Sequence, residues 1–218
     1  GLILALVAFF YLKKSTAESR GENREKRLKF QELLQYHNIK WGLFVASCVF
    51  GWWFSILPFI TKFFTNVQGM AAEEMQKTMG LLGVSMLFFS LFFPGISDKI
   101  GRRKTLIIAI SLGLFFPFAV FFLNGSGLHL PAMLVTYGMV GTIPLVAAVL
   151  PSEAVPEHLK AKAIGFITMT AEIVGGVIVP AIARALSDIF DESAFLWVSA
   201  TLALLALFFT FNLKEKTN

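Results

Sequence analysis

The sequence predicts an all-α membrane protein, a bundle of six transmembrane helices, on three observations. The 218 residues are 56% apolar and only 15% charged, and mean hydropathy is +0.71. A soluble domain carries about 25% charged residues. The apolar residues gather into six runs: Gly42–Ile60, Met79–Ile96, Thr105–Leu123, Leu130–Leu150, Ala163–Ala183 and Ala194–Leu213. Each is near the ~20 residues a helix needs to cross a ~30 Å hydrocarbon core. None alternates polar and apolar residues as a barrel strand would.

Gly1–Leu12 is apolar and runs straight into Lys13-Lys14. A secretory signal places its charges before the apolar stretch, so this order predicts the cytoplasmic end of a preceding transmembrane helix. Residues 13–29 are polar and strongly charged, a linker with little to bury. Phe30, Leu33, Leu34 and Ile39 then fall at roughly helical spacing ahead of Trp41. That pattern predicts a short interfacial helix closing a basic segment over residues 13–40. Residues 41–213 form the bundle and 214–218 a short tail.

Orientation follows from the connections. All but Lys62, Lys77 and Arg184 of the 19 basic residues fall on one side of the six-span map. Basic residues stay cytoplasmic, so residues 13–40 and the C-terminus are expected in the cytoplasm, with the protein a multi-pass component of the plasma (inner) membrane. The net charge of +5 is a topology signal here. No folded soluble face exists to turn it into a nucleic-acid surface.

The connection between the second and third spans is the most specific motif. It reads Gly95-Ile96-Ser97-Asp98-Lys99-Ile100-Gly101-Arg102-Arg103-Lys104. Its shortness demands a hairpin, with Gly95 and Gly101 free to adopt conformations other residues resist. Asp98 and Arg102 stand four apart and can pair if the stretch coils. A basic membrane-surface loop would explain the cations but not the spaced glycines with the aspartate. The pattern Gly95, Asp98, Gly101, Arg102, Arg103 resembles the cytoplasmic signature loop of the major facilitator superfamily. That resemblance implies a twelve-helix secondary transporter of two six-helix bundles joined by a long cytoplasmic loop. A remnant helix, a basic loop, six spans and a basic tail match its C-terminal half. An N-terminal half is the other reading of residues 41–213, and the apolar stretch 1–12 argues against it.

A second loop, Pro151–Lys162, is similar to the superfamily's Glu-x-x-Pro-x-x-x-Arg-Gly element. Here Glu153 and Pro156 are followed by Lys160 and Ala161 in place of Arg and Gly. The resemblance implies a charge network of Asp98, Arg102, Glu153 and Lys160, although Lys lacks the fork that grips a carboxylate with two hydrogen bonds. Solvated helix-end acids are the plain alternative for Glu153.

Glu172 is the only acidic residue deep within a span. An ionised side chain at the bilayer centre costs ~2.5–3.5 kcal/mol, so it should face protein or water. It is a candidate for proton coupling or substrate binding, or a protonated acid hydrogen-bonded to a neighbouring helix. The run Ala171–Pro180 around it resembles organic anion:cation symporters of the same superfamily. Trp52, Trp53 and Ser55 in the first span and Gly138 and Gly141 in the fourth are candidates to line a central cavity, or simply to pack the bundle. The clustered Phe residues read as lipid-facing or packing bulk.

Enzyme chemistry finds no support. His37, His129 and His158 share no ligand spacing, Cys48 stands alone, and no phosphate-binding Gly-Lys-Ser/Thr loop occurs. No metal or cofactor is expected. The expected partners are the lipid bilayer, a second (N-terminal) six-helix half, a small-molecule substrate and a coupling ion, most simply a proton. The functional expectation is alternating-access transport of a small organic anion or sugar-like solute. A proton-driven drug exporter, or a non-transporting sensor or scaffold on the same fold, is the alternative.

Overall fold

A computed structural model describes residues 30–215. The expected helix end at residues 1–12 and the linker at 13–29 lie outside these. After one turn at Phe30–Leu33, six helical segments follow among the described residues. They are α1 (His37–Val67), α2 (Ala72–Ile100), α3 (Arg102–Phe122), α4 (His129–Glu153), α5 (Glu157–Ile189) and α6 (Ala194–Thr210). The first five are long and apolar enough to cross a membrane. The sixth has 17 residues, at the lower limit for a span. It stops short of the predicted Leu213 because the chain turns at Phe211–Asn212.

The other five helices outrun their apolar stretches. α2 begins seven residues before Met79, with Glu73 and Lys77 paired one turn apart at 2.7 Å, as helical spacing permits. α1 continues past a break at Leu57–Phe59 and ends in a widened π turn at Phe63–Val67. Similar distortions accompany Pro144 and Pro180. Around Pro144, α4 tightens to a 3-10 turn at Gly138–Thr142 and then widens at Leu145–Val149. Before Pro180, α5 widens at Val174–Ile178. A proline ring displaces the carbonyl four residues back and offers no N–H. Where no water reaches, such freed groups are re-satisfied by local 3-10 and π adjustments.

α1 is the axis of the bundle, with α5 and α6 laid along it; α3 packs on α6, and α2 pairs with α4. Glycines permit close approach at two of the crossings. At the α1–α5 crossing, a Cβ on Gly175 would stand 2.6 Å from the Gly51 nitrogen. In the α2–α4 seam, Gly138 and Gly141 sit directly beneath Phe89, with no room for a side chain at either. Trp52, Phe63, Phe64, Phe116 and Phe195 fill the core and are fully buried. Phe88, Phe92, Phe115, Phe121 and Phe122 point outward, as expected for lipid-facing bulk.

Burial is uneven. Only 17% of the apolar window of α2 and 28% of that of α5 is covered by the bundle, against 50–67% for α1, α3 and α4.

Candidate functional site

The expected ten-residue hairpin loop is a single residue. α2 stays helical through Ile100 and α3 starts at Arg102, so Gly101 alone makes the turn, at φ 101°. That value lies in the region where glycine is the favoured residue. Gly95, expected to serve the turn, sits inside α2, and a Cβ added there would meet nothing within 4 Å.

Because the stretch coils, Asp98 and Arg102 meet as their spacing predicts. The Arg102 guanidinium then reaches across to the end of α4. Its Nε–H donates to Glu153 Oε2 at 3.2 Å and its terminal amine to Oε1 at 2.7 Å. This is the forked geometry only arginine offers a carboxylate. The other terminal amine donates to the Ser97 hydroxyl at 2.5 Å, and that hydroxyl donates to the Pro94 carbonyl at 2.6 Å. Ser97 is almost fully buried and was missed by the motif. Its only signal was its place, one residue before Asp98 and five before Arg102.

Lys160 does not join this cluster. It faces Glu157 at 3.6 Å on the surface of its own helix. An ammonium three residues from a carboxylate on one helix takes the local partner. Arg103 turns the other way, its guanidinium 5.9 Å from the centre of the Phe211 ring.

The chain beyond α6 closes the same end. His37 Nε2–H donates to the Asn212 carbonyl at 2.8 Å. Asn38 pairs twice with the Lys214 backbone, donating to its carbonyl at 2.8 Å and accepting from its N–H at 3.0 Å. Asp98, Arg102, Glu153, Asn38 and Lys214 thus border one polar hollow of about 540 Å3.

Of the cavity candidates, Trp52, Ser55, Gly138 and Gly141 are packed inside the bundle. Trp52 meets Phe116 edge-on at 5.5 Å. Trp53 is half-buried, its indole N–H donating to the Tyr137 hydroxyl at 3.2 Å. Glu172, expected to face protein or water, lies on the exposed flank of α5. It borders an open groove of about 610 Å3 with Phe54, Gly165, Thr168 and Gly176.

A one-glycine turn braced by an arginine fork to the fourth helix accords with the signature-loop resemblance, and comparison with known proteins decides the family. The sequence matches the Major Facilitator Superfamily over residues 1–179. The chain belongs to that superfamily. It is an all-α half-bundle of the major facilitator fold, a multi-pass membrane protein. Among relatives, the alpha-ketoglutarate permease of Escherichia coli K12 is 23% identical over 99% of this chain and 52% of its own length. Synaptic vesicle glycoprotein 2C of the mouse is 37% identical over 35% of this chain and 11% of its own. The human glycoprotein 2C aligns with the same identity and coverage. The chain therefore spans about half the permease and about a tenth of the glycoproteins. No solved structure gives a significant match.

Proposed function

We propose that this major facilitator half-bundle is the C-terminal part of a secondary active transporter that carries a small organic anion by alternating access, coupled to protons. The observation that carries the reading is the Arg102–Glu153 fork, which ties the α2–α3 turn to the end of α4 and gives one end of the half-bundle a polar closure that can open and reform. The whole-chain similarity to alpha-ketoglutarate permease supports an organic anion. The poor coverage of α2 and α5 supports a second six-helix bundle packed against those two helices, with the solute between.

In this reading Glu172 exchanges the coupling proton, because it sits mid-span in α5 on the flank turned toward that second bundle. Glu172→Gln preserves size and hydrogen bonding and removes the charge. In full-length protein reconstituted into vesicles, the variant should lose accumulation of α-ketoglutarate under an imposed proton gradient and keep its exchange across the membrane. Accumulation at the wild-type level removes Glu172 from the mechanism.

The signature-loop end faces the cytoplasm, as its basic residues favour. Cysteines at Ser126 and Asp191 should react with an impermeant thiol reagent from outside the cell, and one at Ser19 should not. The native Cys48 is buried and adds no background. The opposite labelling pattern inverts the topology.

A further inference from the structure

The end of the bundle away from the signature loop holds a different kind of opening. Between the last turns of α5 and the first of α6 runs an apolar groove of about 540 Å3, walled by Ile182, Leu186, Phe190, Trp197 and Val198. From Val179 to Phe190 it rises about 16 Å at 1.5 Å per residue, the depth of one leaflet of a ~30 Å core. Asp191 stands at its mouth, in the connection between the two helices. One carboxylate oxygen, Oδ1, accepts from the Ser193 hydroxyl and from its backbone N–H at 2.6 Å. These bonds hold the Asp191 carboxyl below its usual titration range, so it is charged at neutral pH. Ser193 takes only the one oxygen, which leaves Oδ2 to accept from a further donor.

Among the described residues, Asp191 is the one charged residue that lines the groove. The neighbouring charges Lys62, Arg184, Asp188 and Glu192 line a separate hollow, where Arg184 faces Asp188 at 3.7 Å. A headgroup of net negative charge would be repelled by that carboxylate, and a terminal ammonium attracted. We infer that this groove holds an acyl chain of a phosphatidylethanolamine molecule, whose headgroup ammonium donates a hydrogen bond to Asp191. The exposed Trp197 indole and Phe190 ring, at 59% and 74% exposure, give the chain aromatic walls at the depth where membrane proteins commonly place them.

The test uses full-length protein, stripped of lipid in detergent, offered phosphatidylethanolamine or phosphatidylglycerol, with bound lipids counted by native mass spectrometry. A charge-assisted hydrogen bond to one headgroup, screened by solvent at the exposed Asp191, predicts a preference for ethanolamine of about threefold. Asp191→Asn keeps an oxygen for Ser193 and loses the charge; it should bring the two lipids to parity without lowering the melting temperature. Ile182→Trp, an exposed groove position, should reduce binding of both. Equal binding of the two lipids by the wild type, or an ethanolamine preference that survives Asp191→Asn, overturns the assignment, as does full binding by a folded Ile182→Trp.

Discussion

The α2–α4 seam and the outer flank of α5 treat the same problem, polar and small residues inside an apolar protein, in opposite ways. In the seam two glycines and a carboxylate are closed against partners. Gly138 and Gly141 take Phe89 against their bare backbones, and at the seam's end Glu153 takes both arms of Arg102. On the α5 flank the small and polar residues are left open. Gly165 meets nothing within 4 Å, Gly176 only touches Phe54 at ordinary contact distance, and Glu172 lies exposed beside them. A closed seam makes two helices one body, whereas an open flank of small residues is what a helix keeps for a partner that approaches closely.

The comparison breaks most directly at Gly141. A Cβ there would press on the carbonyl carbon of Phe89, which cannot move aside as a flexible side chain can. Gly141→Ala should cost about 3 kcal/mol, the upper end of overpacking penalties, and lower the unfolding temperature in detergent. Gly165→Ala, the matching change on the open flank, should lower it far less, because nothing in this half stands within 4 Å of the added methyl. Equal effects at the two sites would abolish the distinction between seam and flank.

A smaller effect should follow removal of the fork. Charge-assisted hydrogen bonds contribute ~1.5–3 kcal/mol each when buried. With the Glu153 side chain at 32% exposure, Arg102→Ala should cost nearer ~1–2 kcal/mol after solvent screening. Transport should slow about tenfold, and Arg102→Lys should recover little because an ammonium has no fork. Glu153→Gln combined with Arg102→Ala should be no worse than the arginine change alone, the signature of residues acting as one unit. Lys160→Ala is the control. Its exposed pairing with Glu157 should give under ~0.5 kcal/mol and near-normal transport. A Lys160 effect as large as that of Arg102 would return the lysine to the network.

Most of this architecture was readable in the sequence because hydrocarbon permits so few solutions. Long apolar runs had to be helices, and all six appear where their centres were expected. Their ends were less legible, since Glu73 and Lys77 satisfy each other on a helix while looking like a polar loop in the sequence. The Asp98–Arg102 pairing was legible from its four-residue spacing. Which carboxylate the guanidinium grips came only through the family resemblance, which placed Glu153 in the same charge network; spacing could not give it, because Glu153 lies 51 positions away and only the fold brings it near. Lys160 misled for the reverse reason: a position matched by motif carries no information about a nearer competitor such as Glu157. The exposure of Glu172 was likewise hidden, because the apolar residues around it mark depth along the helix axis and say little about which flank faces out.

The turn at Gly101 has a mechanical meaning. One residue between two long rods leaves no slack, and Arg102 braces that residue from both sides by holding Ser97 and Asp98 before it. α2 and α3 are therefore coupled like the two arms of a clasp, so a tilt of one drags the end of the other. In the transport cycle proposed above, rocking that opens this end would carry both arms together and release Glu153 in a single event, a catch with two positions instead of a hinge with many.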